Sequence, residues 1–350
     1  MHVLLVRFSS LGDIVMQTSF ISWLKFINPK IEISFITSKG FESLLKNHED
    51  LDRLYAYKKT KGLKDLINLR KFIKSIDREK KIDFIIDLHG TTRSSYLKLL
   101  NPSIPAISID KRRIERHFLV HCGFKLMNKT PSIHSRNIND FMGLFNTNKS
   151  LSNYSSYLKE KYSLNNLKYS SPLFKRDTQK EKAIITAPVA SFKNKRWNIL
   201  NYKELILNIL SQEKYKDYKL INLAGPDDNF CDELNLIKND RFINLQGKTS
   251  LEETIGYISK ASLVIGNDSG LGHIAECFGV NVISIFGPTH ESLGFRPHLD
   301  NSTSISHNIW CRPCSPTGKS RCYRSKQYCM ENIKVSEVMG IFQARFNNDL

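Results

Sequence analysis

The sequence contains no uninterrupted apolar run approaching the ~18–20 residues that a helix needs to cross a bilayer. Its apolar opening, Val3–Val6, is cut at once by Arg7 and a polar turn, so neither a transmembrane helix nor a secretory signal is expected. Acids are scarce: 34 Asp and Glu stand against 52 Lys and Arg in 350 residues, a formal net charge of +18. The Gly-x-Gly-x-x-Gly fingerprint of a dinucleotide site is missing. So are a helix-turn-helix, a zinc-finger pattern and an RNP motif, which leaves the positive charge without a nucleic-acid-reading element to serve. No low-complexity segment and no short repeat occurs. A cytosolic chain is expected, and its charge biases partners toward anions, whether nucleic acid, an acidic membrane face or a phosphorylated substrate; a basic nucleic-acid-binding protein is the alternative from another class, motivated by the charge alone.

What is present describes a folded enzyme-sized protein. With 41% hydrophobic and 25% charged residues the composition is globular, and at roughly 100–200 residues per domain the length predicts two domains, 1–170 and 171–350. His2–Phe8 is a β-branched, apolar run followed by the turn Ser9-Ser10-Leu11-Gly12-Asp13 and a helical pattern over Ile14–Ile27, stopped by Asn28-Pro29. Strands at Ile31–Thr37, Leu51–Tyr57 and Ile82–Leu88 alternate with helices near Gly40–Asn47 and over Leu63–Ile76. A stretch from about Asn146 to Gln179, rich in Ser, Asn, Tyr and Lys, reads as a linker with an irregular helix. The alternation then restarts: strands at Ala183–Ala187, Lys219–Ala224, Phe242–Leu245, Leu263–Gly266 and Val280–Phe286, with helices over Tyr202–Leu210, Leu251–Lys260 and Gly270–Phe278, followed by a Cys-containing tail and a last helix. The expected class is α/β, two doubly wound parallel-sheet domains. Such sheets bind ligands at the carboxyl ends of their strands, so the site is expected between two facing domains.

Chemistry-bearing residues gather at those strand ends. In Ser9-Ser10-Leu11-Gly12-Asp13, Gly12 permits close backbone approach, and Asp13 is either a helix cap worth about 1 kcal/mol or a general base for an attacking hydroxyl. Asp87-Leu88-His89-Gly90-Thr91-Thr92-Arg93 ends another strand at the same edge and offers His89 and Arg93 to an acidic acceptor. In the second half, Asn267-Asp268-Ser269-Gly270-Leu271-Gly272-His273 opens a helix with exposed backbone N–H groups, a cradle for a diphosphate; the alternative is that Asp268 caps the helix and His273 packs on the sheet. Lys195, in the loop Pro188–Trp197, can neutralise a departing diphosphate. Asp228, after Ala224-Gly225-Pro226-Asp227, can accept from a ribose, or simply close a turn.

Seven cysteines are present. Cys122, Cys231 and Cys277 stand alone and read as packing residues. Cys311-x2-Cys314-x7-Cys322-x6-Cys329 is close enough for four thiolates around one structural Zn²⁺, or is a redox-sensitive thiol group, or a reduced tail loop.

Taken together, these motifs resemble the ADP-heptose:lipopolysaccharide heptosyltransferase family, from Val3 to about Val335. The likeness rests on Ser9-Ser10-Leu11-Gly12-Asp13, Ile86-Asp87-Leu88-His89-Gly90, Lys195-Arg196-Trp197, Asn267-Asp268-Ser269-Gly270-Leu271-Gly272-His273 and Phe286-Gly287-Pro288-Thr289. Ser269 stands where many members carry Thr, and Val189-Ala190 replaces a commoner Gly-containing loop. The resemblance implies the GT-B glycosyltransferase architecture and an inverting transfer of heptose from ADP-L-glycero-D-manno-heptose to the inner core, Kdo or heptose, of lipopolysaccharide. It makes Asp13 the catalytic base. It places Lys195, Asp228, Asp268, Ser269, Gly270, Leu271, Gly272 and His273 on the ADP-sugar donor, and Ser10, Gly12, His89, Arg93, Arg112 and Arg113 on the lipid A-Kdo or core oligosaccharide acceptor. No cofactor or catalytic metal is implied, and the lone Asp-x-Asp, Asp50-Leu51-Asp52, lies away from the donor loop. A monomer is expected on the cytoplasmic face of the inner membrane of a Gram-negative bacterium, touching anionic lipid through its basic surface. The nearest competing expectation is the same fold serving another nucleotide sugar or glycan.

Overall fold

A computed structural model describes residues 1–91, 96, 101–109, 113–122 and 181–348. The expected domain boundary at 170/171, the linker 146–179, Arg93 and Arg112 lie outside them. The described residues fall into two compact units, 1–113 and 114–122 with 181–348.

The first unit is one parallel sheet of five strands in the order β3-β2-β1-β4-β5: β1 (His2–Val6), β2 (Glu32–Ser38), β3 (Arg53–Tyr57), β4 (Phe84–Asp87) and β5 (Ala106–Ser108). Every residue of β1 is buried, as a central strand covered on both faces requires. Two short helices follow it, α1 (Leu11–Val15) and α2 (Thr18–Ile27), where the apolar spacing predicts one. The break has a local cause: Thr18 Oγ1 donates to the Val15 carbonyl at 2.6 Å and Ser19 Oγ to that of Met16 at 3.0 Å, side-chain bonds that compete with the helical ladder. The helix expected over Gly40–Asn47 is a single tight turn, Glu42–Leu44, preceded by Gly40 at φ 102°, a conformation no helix contains. Helix α3 (Gly62–Glu79) lays Leu69, Ile73 and Ile76 into the core with Leu4, Val6, Phe8 and Ile85, the spacing of a one-faced helix.

The second unit opens with α4 (Arg113–Cys122), of which Ile114 onward is counted here. Its parallel sheet runs β11-β10-β9-β6-β7-β8: β6 (Ala183–Ala187), β7 (Lys219–Asn222), β8 (Phe242–Asn244), β9 (Leu263–Asn267), β10 (Asn281–Ile285) and β11 (Thr303–Ile305). Its helices are α5 (Ile199–Leu210), α6 (Leu251–Lys260), α7 (Gly270–Cys277), α8 (Tyr328–Glu331) and α9 (Val335–Asn348). The core joins Tyr202, Leu205, Ile206 and Ile209 of α5 to Val338, Met339, Phe342 and Phe346 of α9, with Trp197 fully enclosed. The N-terminus of α5 is capped by Asn198, whose side chain accepts from the Leu200 N–H.

In both units the chain leaves the central strand toward opposite edges, and this switch point fixes where ligand-binding loops emerge. Val6 pairs with Asp87 across β1 and β4, so the loops after them start side by side. Ala187 pairs with Gly266 across β6 and β9; a Cβ at Gly266 would lie 2.9 Å from the Ala187 carbonyl oxygen, so only glycine lets these strands approach as they do.

Candidate functional site

At the first switch point the organising residue is Arg7, immediately after β1 and only 7% exposed. Its guanidinium donates to the Ser9 carbonyl at 2.7 Å and to the Leu88 carbonyl, and pairs with Asp13 Oδ2 at 2.6 Å. That same oxygen accepts the Ser10 N–H at 3.3 Å and the Ser10 hydroxyl at 2.8 Å. Asp13 is therefore fixed by its helix-capping partner and an arginine, with its side chain 29% exposed. Its other oxygen, Oδ1, makes no hydrogen bond or ion pair among the described residues. Burial pushes this carboxyl up, but the Arg7 charge and the Ser10 bonds outweigh it and hold it below its ordinary range, so it is ionised at neutral pH.

Gly12 sits in the first turn of α1 and accepts from the Met16 N–H. After β4, the buried Asp87 carboxylate receives the His89 and Gly90 N–H groups at 2.8 and 2.9 Å and the Ser108 hydroxyl at 3.1 Å. The His89 ring stands edge-on to Phe8, centroids 5.6 Å apart. Ser10, Gly12, Asp13 and His89 are thus brought to one sheet edge, while Arg113 opens α4. Further along α4, Arg116 donates to the Leu293 carbonyl at 3.3 Å and covers the Phe295 ring, packing duties within the second unit. Asp50 and Asp52 do structural work: Asp50 accepts from Ser22, and Asp52 pairs with Lys25 and accepts the Ile33 N–H.

At the second switch point, Lys195 lies in a tight turn, Lys193–Lys195, and its ammonium meets Asp268 Oδ2 at 2.8 Å, with side chains 15% and 4% exposed. Thr289 Oγ1 donates to that oxygen at 2.7 Å. Asn267, at the end of β9, clips the loop in place: its Oδ1 accepts the Trp197 N–H at 3.0 Å and the Tyr202 hydroxyl at 3.2 Å, and its amide donates to the Pro188 carbonyl at 2.5 Å. The N-cap of α7 is Ser269, not Asp268. The Ser269 hydroxyl is buried and has no partner among the described residues. Behind it, burial lowers the pKa of His273, with Lys195 and His298 adding to the effect and Glu276 and Asp268 opposing it, so the imidazole is neutral. Glu276, although buried, is held ionised by His298 Nδ1 at 2.9 Å and the His298 and Leu299 N–H groups. Asp228 accepts the Gly225 N–H at 2.9 Å and faces Arg196 at 3.5 Å, whose guanidinium lies 4.2 Å from the Phe230 ring centroid.

Cys311, Cys314, Cys322 and Cys329 line one pocket in the tail and are free thiols. Among the described residues no three His, Cys, Asp or Glu side chains are grouped to hold a metal ion, so the zinc expectation gains no support from this geometry. Cys231 and Cys277 are buried, as packing residues should be. The sequence alone assigns no role to Arg7, Asn267 or the Thr289 hydroxyl. Their only signal is position: Arg7 directly follows β1, Asn267 ends β9, and Thr289 lies in the loop after β10, each in or beside a motif.

Two Rossmann-like units, each with its own parallel sheet and switch point, are the architecture of the GT-B glycosyltransferases. Solved structures share the fold: Escherichia coli ADP-heptose lps heptosyltransferase II matches over 100% of this chain and 99% of its own at TM-score 0.69 and 18% identity. E. coli heptosyltransferase WaaC with ADP matches over 100% and 99% at TM-score 0.60 and 15% identity. Lipopolysaccharide heptosyltransferase 1 of Campylobacter coli is 24% identical over the whole of both chains. The sequence profile of glycosyltransferase family 9 (heptosyltransferase) matches residues 69–323, and the chain belongs to that family. Among the described residues no helix is long and apolar enough to cross a membrane.

Proposed function

We propose that this glycosyltransferase moves heptose from ADP-L-glycero-D-manno-heptose onto the inner core of lipopolysaccharide, at Kdo or a first heptose, with inversion at the anomeric carbon. The observation that carries the donor half is the convergence on α7 of an unpartnered, buried Ser269 hydroxyl, the Lys195 ammonium and the free N–H groups of a helix start. Such a terminus carries a partial charge of roughly +0.5 and takes phosphate readily. ADP-bound relatives of the same fold support the nucleotide. Ser269, Gly270, Leu271 and Gly272 cradle the diphosphate, Lys195 meets its developing charge, and Asp268 contributes by holding Lys195. His273 underlies the turn, and Asp228 takes the ribose.

In the acceptor half, Asp13 Oδ1 receives the proton as the acceptor oxygen forms its bond to the anomeric carbon. The bond from that carbon to the ADP oxygen breaks in the same displacement, and ADP leaves with the electron pair. A positioned base of this kind contributes about 10²–10⁴-fold. Ser10 and Arg7 keep Asp13 ionised and aimed, Gly12 leaves room for the acceptor, and His89 with Arg93, Arg112 and Arg113 meets its acidic groups. The net charge of +18 suits an enzyme that works, as a monomer, against anionic lipid on the cytoplasmic face of the membrane. The test is mass spectrometry of heptose-free and mono-heptosylated core acceptors incubated with ADP-heptose: a gain of one heptose on either supports the reading and tells Kdo from heptose. Turnover of a different nucleotide sugar instead would replace the donor.

A further inference from the structure

The four-cysteine tail is not absorbed by this reaction, yet it is built onto the donor lysine. Gly318 has φ +81°, and a Cβ there would fall 2.6 Å from Lys195 Cδ and closer still to Cγ, so the stem of Lys195 lies directly over this glycine. The Gly318 N–H is held by the hydroxyl of fully buried Ser315 at 2.9 Å. Beyond it, Asn194 donates to the Ser320 carbonyl at 2.6 Å, and Gln327 donates to the Asn194 carbonyl, so the C-terminal flank of the loop grips the turn that carries Lys195. The partner of Lys195 is held by the same segment. Arg312 grips the Thr289 carbonyl with two N–H groups, at 3.1 and 2.9 Å, and the His307 carbonyl with a third at 2.9 Å, while the Cys314 N–H bonds the Pro288 carbonyl at 3.2 Å. Thr289 in turn donates to Asp268.

We propose that the loop from His307 to Gln327 is a positioning element for the donor diphosphate, acting through Gly318 on the Lys195 stem and through Arg312 and Thr289 on Asp268. The proposal rests on the reading of Lys195 as the diphosphate contact. Gly318 and Arg312 touch neither substrate; they act through Lys195 and Asp268.

The test is a double-mutant cycle read by ADP binding in calorimetry and by heptosyl transfer, on the full chain. Gly318→Ala must displace the Lys195 stem, and is expected to weaken ADP binding by about tenfold or more, the scale of one disturbed charge-assisted hydrogen bond. In the Lys195→Ala background the colliding Cγ and Cδ are gone, so adding Gly318→Ala should change ADP affinity less than about twofold, although the φ +81° penalty on thermal stability persists in both backgrounds. Equal loss of ADP affinity in the two backgrounds would mean a general structural effect and would overturn the proposal. Lys195→Ala with wild-type ADP affinity would overturn the diphosphate reading, and the proposal with it. If Gly318→Ala does not fold, Arg312→Lys serves in the same cycle, since it keeps the charge but loses the two-armed grip on Thr289; additivity with Lys195→Ala would again refute.

Discussion

Replacing Asp13 by Asn removes the proton acceptor while keeping shape, and its cost divides into two parts that the structure separates. The chemical part is the loss of a positioned base, about 10²–10⁴-fold in kcat, or roughly 3–5 kcal/mol at 1.36 kcal/mol per factor of ten. The structural part comes from Arg7, which is 9% exposed at its side chain and would keep its charge without a counterion. Breaking a fully buried pair costs about 3–5 kcal/mol, but Asp13 is 29% exposed and an Asn oxygen still accepts from Ser10, so about 1–2 kcal/mol of stability is the expected loss. The carboxylate partners of Asp13 are Arg7 and Ser10, and none of its bonds reaches Lys195, Asp268 or the start of α7, so ADP affinity should stay within about twofold of wild type. Initial rates of ADP release with saturating ADP-heptose, calorimetric ADP binding and a melting curve make up the assay. A kcat within tenfold of wild type in a folded Asp13→Asn protein would refute the general-base assignment; a kcat loss matched by an equal loss of ADP affinity would show that the substitution acts through the fold.

Three further outcomes follow from the same geometry. In Arg7→Gln the acid limb of kcat/KM should move to higher pH, because burial alone pushes the Asp13 carboxyl up and Arg7 is the first of the groups that pull it back down. The accompanying stability loss should be largest near neutrality and fade as pH falls through the native Asp13 pKa, since a depressed carboxyl stabilises the fold only while ionised; a pH-independent loss would contradict this. Gly266→Ala should lower stability by about 1–3 kcal/mol in chemical denaturation, because its Cβ meets the Ala187 carbonyl oxygen at 2.9 Å and two central strands must part. Under native conditions at pH 8, Cys231 and Cys329 should escape iodoacetamide, since burial pushes their thiols up to about 12 and about 11, leaving about one in 10³–10⁴ ionised; rapid modification of either, mapped by peptide mass spectrometry, would refute it.

The central strands were legible because a strand covered on both faces must be a continuous apolar run, as Val3–Val6 and Leu263–Ile265 are. Edge strands β5 and β11 have three residues each and carry no such run, so no period marks them. The loop after β9 stands out in the sequence through its glycines and hydroxyl, residue types that phosphate binding demands at a helix start. Arg7 did not, because its meaning depends on β1 and β4 being neighbours, which brings the Leu88 carbonyl to its guanidinium across 81 residues of sequence. Asn267 is a similar case: its partners Trp197 and Pro188 lie 70 and 79 residues away. Asp268 shows how a motif residue changes meaning in the fold, since it reads as part of a phosphate cradle but spends its oxygen on Lys195 and Thr289.

Heptosyl transfer is tested most directly by the mass of a defined core acceptor after incubation with purified protein and ADP-L-glycero-D-manno-heptose. A heptosyltransferase with Asp13 as its base adds one heptose to a Kdo-bearing or mono-heptosylated lipid A acceptor, with stoichiometric release of ADP and loss of turnover in Asp13→Asn. No mass gain on either acceptor, with the protein folded and ADP bound, would contradict it.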